Sequence, residues 1–152
     1  MGKTCALSGH RVLKKNFNIN YFRKILFEII ESGYDKFYVG MARGFDLEGC
    51  KILQFIRAEY RLLNIRIIAC LPCPEQDKFF SEKEKADYIN CLKDCDEIIY
   101  ISDTYINGCM QMRNRYMIDN CNLLLAYIYK DYGGTFYTIN YARRKNKEII
   151  YI

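Results

Sequence analysis

The sequence has no tryptophan, only two prolines and a single histidine among 152 residues. With nine glycines, that composition excludes collagen-like and low-complexity classes. No apolar run reaches the length of about 18 residues that would signal a membrane span. Nothing in Met1-Gly2-Lys3-Thr4-Cys5 resembles the long apolar region of a signal peptide. The expected location is therefore the cytoplasm, where cysteines stay as thiols or metal ligands. The net charge of +5 is not gathered into any long block. Its densest spots, Lys14-Lys15 and Arg143-Arg144-Lys145, read as solvated surface before they read as a polyanion track. A hydrophobic content of 51% excludes disorder. The length predicts one domain, large enough to bury about two thirds of its unfolded surface without disulfides.

What is present is an alternation. Short β-branched runs alternate with longer stretches whose apolar residues recur every three or four positions. Phe22, Ile25, Leu26, Ile29 and Ile30 mark a helix over 18–31, which Ser32-Gly33 stops. Asp46 reads as the N-cap of a helix running to about Leu63. Ser81 and Glu84 form a capping box that opens a helix to about Lys93. Further helices are expected over 111–120 and 135–144. Strands are expected at 5–8, 36–39, 65–71, 97–101, 122–128 and 148–152. Strands apolar on both faces, alternating with helices, predict a three-layer α/β fold, a doubly wound, Rossmann-like single domain with a mainly parallel sheet. In such folds ligands sit beyond the carboxyl ends of the strands.

Three of those ends carry glycine. Ser8-Gly9-His10-Arg11 follows the first strand, Gly40-Met41-Ala42-Arg43-Gly44-Phe45-Asp46 the second, and Tyr132-Gly133-Gly134-Thr135 the fifth. A lone glycine after a strand is usually a tight turn. Three such loops on one edge make an anion or nucleotide cradle, because glycine lets a phosphate approach the backbone and a helix N-terminus offers free N–H groups. Neither the dinucleotide fingerprint nor a P-loop is present. Arg113 and Asn114, near the start of the helix after the fourth strand, are placed to add a bidentate phosphate contact. The plainer reading of that helix is an apolar methionine face with solvated arginines.

GMARGFD at 40–46, the Pro72–Gln76 segment, RNRYMIDN at 113–120 and YGGTFYTINYA at 132–142 resemble the SLOG superfamily. That group includes the DNA-processing Smf/DprA proteins and the LOG cytokinin-activating hydrolases. The chain is most similar to its small YpsA-like subfamily of bacteria and phages. The resemblance implies a Rossmann-like domain that binds a nucleotide or nucleotide-derived ligand. It places Ser8, Gly9, Gly40, Gly44, Asp46, Arg113, Asn114, Gly133, Gly134 and Thr135 at the ligand. His10, Arg11 and Met41 join them as loop neighbours. Asp46 has two readings, an acceptor for ribose hydroxyls or a helix cap.

The LOG hydrolases carry PGGxGTxxE, whose Glu acts in N-glycosidic cleavage. Here Gly134-Thr135 matches the GT and Arg113 matches the LOG arginine, but Thr138 stands at the Glu position. A threonine cannot take over a carboxylate's role at an oxocarbenium-like centre. Asp46, Asp103 or Asp119 would have to substitute. The residues thus favour binding over catalysis, with no cofactor and, if there is chemistry, Arg113 as its participant. Ser8 and His10 are too close along a turn to form a nucleophile and base. His10 is left as a ligand-contacting or an ordinary loop histidine. Cys70, Cys73, Cys91 and Cys95 approach zinc-site spacing. Against that, Cys70 falls in an apolar strand and the other Cys read as small core residues, so no metal is expected.

The leading expectation is a sensor or sequestering protein for an ADP-ribose-like or cyclic nucleotide signal. A phosphoribohydrolase acting on nucleoside 5′-monophosphates comes second. A single-stranded DNA-binding module comes third, because no extended basic run supports it. The 14 Tyr and nine Phe suggest a homodimer or tetramer.

Overall fold

A computed structural model describes residues 2–152 of the chain. Strands and helices alternate throughout: β1 (Lys3–Gly9), α1 (Ile19–Glu31), β2 (Tyr34–Val39), α2 (Phe45–Glu59), β3 (Arg66–Leu71), α3 (Glu82–Lys93), β4 (Glu97–Tyr100), α4 (Cys109–Asp119), β5 (Leu123–Tyr127), α5 (Gly134–Arg144) and β6 (Glu148–Tyr151). A short 3-10 helix at Gln76–Phe79, which the sequence pattern does not announce, precedes α3. The six strands form one parallel sheet in the order β4-β3-β2-β1-β5-β6. The α/β, doubly wound fold expected from the sequence is the fold observed.

The side-chain alternation of the strands builds two cores. Cys5 and Leu7 of β1, Phe37 and Val39 of β2, and Ile67, Ala69 and Leu71 of β3 face α1, α2 and α3. Ala6, Tyr38, Ile68 and Cys70 face the other way, onto Met117 and Ile118 of α4 and Ile139 and Ala142 of α5. Strands covered on both faces must be apolar on both faces, which explains their unbroken hydrophobic runs.

Helix boundaries follow local chemistry. Asn18 caps α1 by accepting from the Tyr21 N–H at 3.0 Å. The Ser81–Glu84 capping box is complete, with bonds of 2.8 and 3.2 Å. Asp46 does not cap α2. The N-cap is Gly44, at φ 82°, and Asp46 lies in the first turn with its carboxylate buried. Helix α2 also stops at Glu59, short of Leu63, and Leu62 beyond it is fully exposed.

The chain lays down β1 to β4 in one direction, then returns to place β5 on the other side of β1. The reversal between β1 and β5 is the switch point where such sheets open a crevice. Beneath it Phe22 is fully buried and stacks on Phe45 at 4.4 Å, with Phe17 edge-on to both. Truncating a fully buried phenylalanine costs about 3–5 kcal/mol. Phe22→Ala is expected to lose stability of that order in urea unfolding.

Candidate functional site

The buried polar and charged side chains among the described residues are Ser8, Asp46, Arg113, Thr135 and Thr138. Ser8 ends β1, Asp46 opens α2, Arg113 stands in the second turn of α4, and Thr135 and Thr138 lie in the first turns of α5. All five therefore stand at the carboxyl edge of the sheet. The first four are residues the sequence singles out as ligand contacts. Burial of polar groups is costly unless they find partners, so the partners of each decide what the gathering can do.

Arg113 is 4% exposed and is not the outward phosphate clamp the sequence suggests. Its Nη1 donates to the carbonyls of Gly40 and Cys70 and to Gln76 Oε1, and its Nε donates to Asn114 Oδ1 at 2.8 Å. Gln76 in turn donates to the Gly40 carbonyl at 3.1 Å. The Arg113 guanidinium thus ties α4 to the ends of β2 and β3. Gly40 is required here, since a Cβ would lie 2.8 Å from Arg113 Nη1 and 3.0 Å from Asp46 Oδ2. Gln76 sits in the motif the sequence offers, but its role shows only once the 3-10 helix brings it over Gly40.

Asp46 Oδ2 accepts from the Ala42 N–H at 3.4 Å, while Oδ1 is buried with no hydrogen-bond partner. The Gly9 N–H faces the carboxylate without a hydrogen bond to Oδ1. Burial pushes the Asp46 carboxyl up to about 7, and Arg113 pulls it part of the way back. Burial also lowers Arg113 from the usual guanidinium range, against the pull of Asp46. Met41 adopts φ 62°, a left-handed conformation unusual for a side chain of its kind, and its side chain is fully buried. It therefore offers a ligand only backbone, a correction to its place among the predicted contacts.

The loops after β1 and β5 are fastened to each other. The Lys14 N–H donates to Tyr127 Oη at 3.1 Å, the Tyr129 hydroxyl to the Val12 carbonyl at 2.6 Å, and the Lys130 N–H to His10 Nε2 at 3.3 Å. His10 packs edge-on against Tyr129 at 4.4 Å. Burial, then the charge of Lys130, lowers its pKa and favours the neutral ring that accepts this bond. Gly44 packs against the Arg11 carbonyl, which a Cβ would approach to 2.3 Å, so the β2 loop locks onto the same strap. Gly9 likewise leaves its space to Phe45. Arg11 remains exposed on the rim.

The N-terminus of α5 is open by contrast. Gly133, at φ 96°, is its N-cap, and a Cβ on Gly133 or Gly134 would meet nothing within 4 Å. The N–H groups of its first turn lack intrahelical acceptors, and a helix N-terminus of this kind suits an anion.

Comparison with known proteins agrees with this fold. The YpsA model, described as the YspA SLOG family, matches residues 11–151. The chain belongs to this SLOG family. It is 31% identical over 121 residues to the uncharacterized SPbeta prophage-derived protein YoqJ of Bacillus subtilis (strain 168), covering 72% of this chain and 70% of that protein. DNA processing protein A (DprA) from Streptococcus pneumoniae shares its fold, with a TM-score of 0.70 at 15% identity over 99% of this chain and 50% of that one. DNA processing protein A from Helicobacter pylori, whose single-stranded DNA binding mode has been described structurally, matches with a TM-score of 0.70 at 15% identity over 98% and 64%. The chain thus spans about half to two thirds of these DNA processing proteins.

Within this SLOG chain the LOG Glu position has another use. Thr138 is fully buried and its hydroxyl donates to the Gly134 carbonyl at 2.8 Å, inside α5 itself. Asp119 lies at the far end of α4, bonded to the Tyr141 hydroxyl at 2.8 Å, on the opposite edge of the sheet. Asp103 is exposed in the loop after β4. The zinc-like quartet does not assemble: Cys70 faces the α4–α5 core and Cys91 the α1–α3 core, so the sheet separates them. Cys73 is buried beyond the end of β3. Cys50 is a fully buried core residue, as its reading as filler expects, and it neighbours Cys91 and Cys95 between α2 and α3. No group of three or more His, Cys, Asp or Glu among the described residues is placed to hold a metal ion, and no helix is long and apolar enough to cross a membrane.

The Asp46 carboxyl titrates higher in the folded chain than in the unfolded one, near its ordinary 3.8. Its contribution to stability is therefore greatest below about 4 and is lost as the pH rises through about 7. Asp46→Asn removes this dependence. In denaturant titrations its stability relative to the parent chain should climb between about pH 4 and 7 and level off above. A difference that stays flat over that range would show an unperturbed carboxylate.

Proposed function

We propose that the chain binds a nucleotide or nucleotide-derived ligand at the carboxyl edge of its sheet, as a sensor, regulator or sequestering protein. The observation that carries this reading is the gathering of buried polar side chains, with Asp46 Oδ1 left unpartnered, beside an unobstructed α5 N-terminus. The ligand's phosphate lies on Gly133, Gly134 and Thr135, and the ends of β1 and β2 supply Ser8, Gly9 and Gly40. Arg113 acts through position, holding the edge in shape and contributing field rather than a direct clamp. No hydrolytic step belongs to this reading, because Thr138 gives its hydroxyl to its own helix. Self-association belongs to it: Tyr105, Ile106, Met110 and Met112 leave apolar surface at the start of α4.

A second reading is single-stranded DNA binding. It is favoured by the fold shared with the Helicobacter pylori protein and by cations stacked on tyrosines around α5, Lys130 on Tyr129 and Tyr132 and Arg144 on Tyr141.

A thermal-shift panel of nucleoside phosphates, ADP-ribose and cyclic ADP-ribose tests the first reading. A ligand at a hundred times its dissociation constant adds about 2.7 kcal/mol of stability. At least one member should raise the melting temperature, and Thr135→Val should reduce that rise. A panel without any shift would sink the nucleotide reading. Release of free base from a nucleoside monophosphate would move the chain to the phosphoribohydrolases.

A further inference from the structure

In a doubly wound sheet the rest of a phosphate-bound ligand ordinarily extends across the switch point. Here that route is filled. Tyr127 is 8% exposed and packs against Phe17 at 4.8 Å and Phe45 at 5.8 Å. Above them His10 and Tyr129 close the crevice, and three hydrogen bonds fasten the β1 loop to the β5 loop. No ring can enter between β1 and β5 without undoing that strap.

The other side of the α5 N-terminus is open. A groove of about 500 Å³ runs from the β5–α5 loop along α5 to the edge strand β6. Tyr132, Phe136 and Tyr151 line it with aromatic surface, and Lys130 and Arg143 line it with charge. Tyr132 is 64% exposed and Tyr151 45%. Phe136 and Arg143 lie two turns apart on one face of α5, so the helix itself sets the spacing between ring and charge. Arg143 Nη2 is held by the Tyr151 hydroxyl at 2.7 Å, and Lys130 Nζ stands 5.6 Å from the rings of both Tyr129 and Tyr132. Neither cation joins an ion pair among the described residues. One acid, Asp131, lies on the rim.

The geometry points to this groove as the base subsite of a nucleoside diphosphate-type ligand, whose ring lies among Tyr132, Phe136 and Tyr151 and whose second negative charge meets Lys130 and Arg143. Aromatic faces accept a base of either class, and unpaired cations select an anionic one over a neutral nucleoside. The volume suits a nucleotide-sized group. The inference rests on the phosphate position proposed above and adds the direction in which the ligand leaves it: outward, over β6, instead of across the switch point.

The test uses two probes on the full chain. Ethenoadenosine diphosphate carries a ring and is followed by fluorescence. Ribose 5-phosphate lacks the ring and is followed by calorimetry. Tyr132→Ala and Arg143→Gln alter exposed side chains, and their melting temperatures confirm that the fold is intact. Each should weaken the ring-bearing probe by about tenfold and leave ribose 5-phosphate unchanged, whereas Thr135→Val should weaken both. Unchanged affinity for the ring-bearing probe in both groove variants, with loss in Thr135→Val, overturns the groove and leaves the phosphate site standing. Absence of binding of either probe to the parent chain overturns the phosphate site and the groove with it. Tighter binding of a short oligothymidylate, lost in the same groove variants, makes the groove a nucleic-acid track and overturns the mononucleotide assignment.

Discussion

The carboxyl edge of this sheet is organised by one buried cation. Arg113 reaches from α4 across the end of the sheet and donates to the Gly40 and Cys70 carbonyls and to Gln76. A guanidinium withdrawn from water is costly unless its donors are used and a negative charge stands near. Here Nη1 meets the Gly40 and Cys70 carbonyls near the ends of β2 and β3, and Asp46 supplies the opposing field. The arrangement fixes three things together: the turn after β2, the 3-10 helix that carries Gln76, and the start of α4. Gly40 follows from it, since no side chain fits between Arg113 and Asp46. The next residue in that turn, Met41, is left-handed.

That knot and the aromatic strap divide the edge into a rigid part and an open part. From β3 across β1 to the start of the β5 loop, the segments are committed to each other through Arg113, Gln76, Gly44 and the His10–Tyr129 contact. Beyond Lys130, along α5 to β6, they are not: a Cβ on Gly133 or Gly134 would meet nothing within 4 Å, and Lys130 and Arg143 lack carboxylate partners among the described residues. A preorganised wall next to an unsatisfied surface is what a binding site needs, because little ordering cost remains when the ligand arrives.

The fold was readable because its signals are periodic and local. Apolar runs of strand length, helical spacing in 18–31 and the Ser81–Glu84 capping box depend on near neighbours, and each lies where the pattern puts it. The glycine loops and Arg113 were readable as a set, since they share one edge. What the side chains do there was not. Whether Arg113 points at a ligand or at carbonyls depends on Gln76 and Gly40, 37 and 73 residues away in sequence. Asp46 looked like a cap because aspartate favours that position, but Gly44 takes it and burial turns the carboxylate inward. The cysteine spacing could not decide by itself for a related reason: spacing along the chain carries no information about which face of the sheet each residue packs on, and Cys70 and Cys91 lie on opposite faces. Lys130 and Tyr151 gave no signal, as their meaning comes from the parallel pairing of β5 with β6.

Thr138 shows how binding and chemistry separate in such a fold. A phosphate at a helix N-terminus is held by backbone N–H groups and the helix dipole, neither of which depends on the side chain one turn further on. A carboxylate at that position would have to stay ionised or share a proton next to the same phosphate, so it is costly unless a reaction uses it. Threonine removes that charge and satisfies its buried hydroxyl on the Gly134 carbonyl of its own helix. On the proposed function, threonine at this position favours holding an anion over cleaving what is attached to it, and it does so without disturbing the backbone that would do the holding.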